Sequence, residues 1–318
     1  MERNDQQPVM FFLGDAALDE YYQADYFPRL KEKITVQPLP AESGGMVANA
    51  ACVSAALGCQ THFLAMLKDS EITEKLLTDM RKGGIETKWV IYDNDLPEAK
   101  TIIILAEGEH TVFIPTLGID KIEIANTTLD FIKTCDYFFT TMVEFGPLVC
   151  EEKTSYEVLC EIQKAGCRTV FDMDVNGFAP REFKFLKAID ILFINEKGFE
   201  QMKGDKSQQE RVEDLFSYGL EILIITKGDK GCFVYQGENM WQIPGIPTEV
   251  VDVTGAGDTF AGAFMYAYHK WQDPKKAAVF SVGAATRCVS TLGARSGTAR
   301  EEEVLSFLSQ KGISFPAE

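Results

Sequence analysis

The chain has 318 residues, 46% hydrophobic and 25% charged, the balance of a globular protein with a substantial core. Its net charge of −17 argues against nucleic acid and anionic membrane surfaces as partners, because both are bound through a positive face. No run approaches the roughly 20 apolar residues of a bilayer span, and the opening MERNDQQPVMFFLGD lacks the basic region and long apolar stretch of a secretory signal, so a cytoplasmic location is expected.

The first element, VMFFLGD (9–15), is a short apolar run closed by Gly-Asp, as a buried parallel strand would be. GGMVANAACVSAALG (44–58) repeats small and apolar residues at helical spacing and stops at a glycine. THFLAML reads as a strand, EITEKLLTDMRKGG as a helix and CDYFFTT as a strand. The alternation then continues through SYEVLCEIQKAG (helix), CRTVFDMD and DILFIN (strands), FEQM (helix) and LEILIITKG (strand). GCFVY and MWQIP form a hairpin pattern, and GDTFAGAFMYAYHKW and KKAAVFSVGAATRCVS are two long helices. Repeated strand–helix units predict a mostly parallel sheet covered by helices on both faces.

Two segments break that rhythm. ITVQPLP (34–40) and AKTIIILAEGEHTVFIPT (99–116) have the pattern of antiparallel strands, the second turning near Glu107–His110. They predict either a small β-sheet apart from the main one or edge strands of the main sheet. The eight cysteines form no CxxC pair, so buried reduced thiols are expected, and the three histidines show no ligand spacing.

VDVTGAGDTFAGAF (Val251–Phe264) carries the chemistry. Its glycines permit φ > 0 and bring backbone N–H groups close to an anion. A helix starting there would add the positive end of its dipole, which suits phosphate or the charge that grows during phosphoryl transfer. Asp258 beside it is either a proton acceptor for an attacking hydroxyl or simply a helix cap. The turn is neither a Walker A sequence nor a GxGxxG fingerprint after the first strand, which disfavours a Rossmann dehydrogenase.

DVTGAGDTFAGAF closely resembles the C-terminal signature of the ribokinase-like (PfkB) carbohydrate kinases, and SGGMVANAACVSAALG (Ser43–Gly58) resembles their N-terminal one. The two stand about 200 residues apart, in the family's order, and the resemblance covers essentially the whole chain. It implies a three-layer α/β sandwich with a central, mostly parallel sheet, one domain over 1–318 with a small β lid from about 17–40 and 96–117. It also implies ATP-dependent phosphorylation of a sugar hydroxyl with Asp258 as base and the N–H groups of Gly255, Ala256 and Gly257 as anion hole. Asp15, Asp19, Gly44, Gly45, Asn49 and Glu144 are implied at the sugar. Asn195, Thr226, Gly228 and Gly257 are implied at the ATP. Asp252 is implied at the potassium that many relatives bind, with carbonyls of TLGARSG (Thr291–Gly297), and magnesium is implied with the ATP, with Glu196 a candidate near it. The lid is also the expected surface of a homodimer.

The sequence departs from the family in three places. Gly198 stands where an N-x-x-E pattern would place glutamate after Asn195, so either Glu196 or Glu200 substitutes in organising magnesium through water or metal handling is weakened. Asn176 in DMDVN and Met46 in GGM stand where relatives that bind acidic sugars, or ribokinases, carry arginine or lysine. Losing those cations predicts a neutral sugar, because an unpaired buried anion is costly. A nucleoside acceptor, its base lined by the apolar hairpin, and a non-catalytic sugar-binding relative are the competing readings.

Overall fold

The computed structural model describes residues 7–173, 180–313 and 315. The predicted alternation builds one nine-stranded sheet. Seven strands run parallel in the spatial order Ile85–Glu86, Gln60–Leu64, Val9–Leu13, Tyr137–Thr141, Arg168–Asp172, Ile191–Asn195 and Ile222–Thr226. The hairpin Cys232–Gln236 and Asn239–Ile243 completes one edge in antiparallel sense.

These strands are apolar throughout because both faces are covered. Successive residues point to opposite sides: Met10 and Phe12 enter one core with Tyr137, Phe139 and Phe193, whereas Phe11 and Leu13 enter the other with Phe138 and Phe171. The first core is closed by the helices Met46–Ala56, Ala256–Trp271 and Pro274–Cys288. Helices Asn126–Ile132, Ser155–Lys164 and Gln208–Ser217 close the second. The result is the three-layer α/β sandwich the resemblance implied. All eight cysteines are free thiols, and no helix among the described residues is long and apolar enough to cross a membrane.

The irregular segments leave the large sheet and pair among themselves. Lys100–Ala106 and Glu109–Phe113 form the expected antiparallel hairpin, and Ala17–Gln23 lies beside Lys100–Ala106 in parallel. Of ITVQPLP only Gln37–Pro38 is a strand, since its prolines remove ladder donors. The short strand Glu42–Gly44 also joins Ala17–Gln23, placing Gly44 opposite Ala17.

The carboxyl ends of the parallel strands all open on one side. Gly14–Asp15, Glu144, Asn195 and Thr226 follow or end four of them. Open α/β sheets bind ligands there, at the point where connections diverge to either side of a strand. Val9–Leu13 is such a point, flanked by Gln60–Leu64 and Tyr137–Thr141.

Candidate active site

Helix Met46–Ala56 begins without a side-chain cap of its own, at Gly45 with φ 100°. Its cap comes from elsewhere in the chain. Asp15 accepts from the N–H groups of Met46 (3.0 Å) and Val47 (2.9 Å), satisfying two of the orphan donors of the first turn. Burial raises the Asp15 pKa against the pull of those hydrogen bonds. The aspartate expected at the sugar is thus engaged in holding the helix start on which Gly44, Gly45 and Asn49 depend.

Asp19 lies on Ala17–Gln23 and is only 6% exposed. A β-carbon on Gly44 would sit 2.0 Å from its Oδ2, so the missing side chain of Gly44 is the space the carboxylate fills. Burial pushes Asp19 up to about 6, opposed by a hydrogen bond from Thr101 and by the charge of Arg295. Glu144 stands in the short helix Met142–Phe145, whose start is capped by Thr141. Burial and the nearby Asp15 push it up to about 7.

The glycine turn at Gly255–Asp258 meets the group expected at the sugar through helix packing. A β-carbon on Gly262 would lie 2.7 Å from the Ala50 carbonyl oxygen, so glycine is what lets helix Ala256–Trp271 approach Met46–Ala56 so closely. With the two helix starts side by side, Asn49 Nδ2 donates to Asp258 Oδ2 at 2.8 Å across 209 residues of sequence. The N-cap of the helix is Gly255, in the left-handed region at φ 77°, so the simple capping role for Asp258 is not what the structure shows. Asp258 sits in the first turn, held by Asn49. Gly255 packs against the loop at Ala294, whose backbone oxygen would lie 2.7 Å from an added β-carbon. Of the three N–H groups expected to face an anion, that of Ala256 donates to the Val253 carbonyl at 3.3 Å.

Asp252 ties two loops together, accepting from the N–H groups of Thr254 and Gly293, both at 2.9 Å. Among the residues expected at the ATP, Asn195 caps helix Glu196–Lys203 by accepting from the Gly198 N–H at 2.8 Å. Glu196 pairs with Lys227 at 3.1 Å, which lowers its pKa. Thr226 ends the neighbouring strand, and Gly228 follows at φ 57°. No group of three or more His, Cys, Asp or Glu suited to a metal ion occurs among the described residues. Asn176 and its neighbours 174–179 lie outside the described residues.

One site residue escaped the sequence reading. Arg295 reaches into the acceptor group, its Nε donating to Asn49 Oδ1 at 2.8 Å and its Nη2 to the Gly44 carbonyl at 2.7 Å. The lysine and arginine positions from which a neutral sugar was expected, Met46 and Asn176, are therefore not the whole of the local charge, because Arg295 adds a guanidinium bonded to Gly44 and Asn49. A lone arginine among the small residues of TLGARSG was the available signal.

A family model described as pfkB family carbohydrate kinase matches residues 12–301. The chain is similar to a ribokinase of Staphylococcus aureus (strain COL), with 26% identity over 307 residues, 92% of this chain and 97% of the relative. Its fold is similar to that of Arabidopsis thaliana ribokinase solved with ribose and ATP, with a TM-score of 0.82, 23% identity and coverage of 95% and 99%. It is also similar to an E. coli structure in complex with ATP and Mg2+, with a TM-score of 0.76, 15% identity and coverage of 95% and 99%. By the match over most of its length, together with the paired glycine turns that its fold brings to one place, the chain belongs to the pfkB family of carbohydrate kinases.

Proposed function

We propose that this ATP-dependent kinase phosphorylates a hydroxyl of a small neutral sugar, with Asp258 as general base. The observation that carries this reading is the 2.8 Å hydrogen bond from Asn49 to Asp258, which joins the acceptor helix to the phosphoryl turn in one site. The acceptor hydroxyl gives its proton to Asp258 as its oxygen bonds the γ-phosphorus, and the bond to the β-phosphate oxygen breaks to release ADP. The glycine turn and the start of helix Ala256–Trp271 supply a positive dipole where charge spreads over the phosphoryl oxygens. Asn195, Thr226 and Gly228 form the nucleotide side. Magnesium would be held chiefly by the ATP phosphates and water, since Mg2+ usually takes one or two protein carboxylates and keeps several waters, and it would neutralise charge on the phosphates. Glu196 is occupied by Lys227, which disfavours it as a direct ligand.

Charge balance supports neutrality of the acceptor on new grounds. Asp15, Asp19 and Glu144 surround it, and among the described residues the guanidinium that reaches this group, Arg295, is already bonded to Gly44 and Asn49. An anionic sugar would meet a pocket with excess negative charge. The second sheet carries Asp19 itself, so on this reading it forms one wall of the site and excludes water as a lid. A coupled ADP-release assay across neutral sugars, acidic sugars, phosphosugars and nucleosides, with and without potassium, tests the assignment. Turnover is expected with a neutral sugar, and activity confined to acidic sugars, phosphosugars or nucleosides would overturn it.

Sugar affinity should also depend on pH in a definite direction. Asp19 accepts sugar O–H groups in its ionised form, and its pKa is raised to about 6. Affinity is then full above that value and falls as pH drops through it. The sugar KM is expected to climb on going from about pH 8 to about pH 5. A KM that stays flat across this range would remove Asp19 from the acceptor contacts.

A further inference from the structure

Arg295 does more than balance charge. Its guanidinium carries donors only, so any group facing it must be an acceptor. That settles which way the Asn49 amide points: its oxygen faces Arg295 Nε at 2.8 Å, and its NH2 is therefore the part that faces Asp258 Oδ2 at 2.8 Å. Reversed, the amide would set a carbonyl oxygen against a carboxylate oxygen and present donors to a donor. Asn49 is 4% exposed, so water has little access to repair such a mismatch. The second guanidinium bond, to the Gly44 carbonyl at 2.7 Å, anchors Arg295 on the acceptor turn itself.

We propose that Arg295 is a positioning residue for the transfer step: by fixing the Asn49 amide it holds a hydrogen-bond donor on Asp258 and so orients the base. This rests on the reading of Asp258 as base. It assigns to the loop Thr291–Gly297 a part in the chemistry through a side chain, by a chain of contacts running from Arg295 through Asn49 to Asp258. The guanidinium also faces Asp15, Asp19 and Cys52, whose titration its charge lowers, while Asp258 and Asp252 both face Cys288. A role limited to Asp15 and Asp19 would act on sugar binding. The proposed role acts on turnover, and the two separate in steady-state kinetics.

The experiment measures kcat at saturating sugar and ATP for Arg295→Met, Asn49→Leu and the double variant. Arg295→Met is expected to lower kcat about 10- to 100-fold, because a misoriented base loses much of what general-base catalysis supplies. In the Asn49→Leu background the same change should cost less than about twofold further, since the relay is already broken. If Arg295→Met does not fold, Arg295→Gln carries the same comparison, as its amide can present either a donor or an acceptor and leaves Asn49 unspecified. The proposal is overturned by a kcat within twofold of wild type, by a loss confined to the sugar KM, or by losses that multiply in the double variant. Asp258→Asn separates the two levels. Retained turnover there removes the base assignment itself, whereas lost turnover with independent Arg295 and Asn49 effects removes only the positioning role.

Discussion

Replacing Asp258 by asparagine is expected to lower kcat by about 10²- to 10⁴-fold, the range that a positioned general base contributes, while sugar still stabilises the protein in a thermal-shift assay. The structure explains why binding should survive. Asn49 Nδ2 donates to Asp258 Oδ2, and the carbonyl oxygen of an asparagine can accept the same bond in the same place. What is lost is basicity, because an amide cannot take the proton of the attacking hydroxyl. The substitution also removes a negative charge from the first turn of helix Ala256–Trp271, worth about 0.3–1 kcal/mol against the helix dipole. That is too small to unfold a domain and too small to imitate a loss of several powers of ten. Turnover within tenfold of wild type would show that another group takes the proton.

The parts of this site legible in the sequence are those whose function follows from backbone conformation or local pattern. The apolar strand VMFFL could be read because its residues are buried on both faces, Phe11 in one core and Phe12 in the other. The turn before helix Ala256–Trp271 could be read because only glycine sits comfortably at the φ of 77° that Gly255 adopts. Side-chain partnerships across long stretches of sequence were not legible. Asp15 was placed at the sugar, but nothing local in LGDAALD shows that it also caps the helix that starts at Met46. Glu196 was considered for metal, and its ion pair with Lys227, beyond the end of the neighbouring strand, could not be read from the sequence. The family pattern drew attention to Met46 and Asn176, whereas the guanidinium bonded to the Gly44 carbonyl comes from Arg295, 249 positions after Met46. Arg295 uses its donors on Asn49 and the Gly44 carbonyl, so it shapes the pocket without standing in for a cation free to meet an anionic sugar.

Two adjacent glycines should respond to alanine in opposite ways. At Gly44 the added β-carbon would lie 2.0 Å from Asp19 Oδ2 and 2.5 Å from its Cγ, with no left-handed backbone to strain. The clash is with the end of a side chain that can rotate away, so Gly44→Ala should fold. Asp19, however, must leave the space it fills. Losing hydroxyl hydrogen bonds to a charged acceptor, at about 1.5–3 kcal/mol each, should lower kcat/KM for the sugar by roughly 100-fold while leaving the KM for ATP near its original value. At Gly45 the β-carbon would lie 2.7 Å from Ala16 Cα and 2.8 Å from the Asp15 carbonyl oxygen, at a φ of 100° that other residues rarely adopt. Those atoms are backbone and cannot swing aside, and the strand end they belong to is what caps helix Met46–Ala56. Gly45→Ala should therefore lower the melting temperature sharply or prevent folding. Denaturation curves beside sugar titrations of the two variants check the contrast. If Gly44→Ala kept its sugar affinity, Asp19 would have no contact with the acceptor, and that side of the site would have to be rebuilt around Glu144 and Asn49.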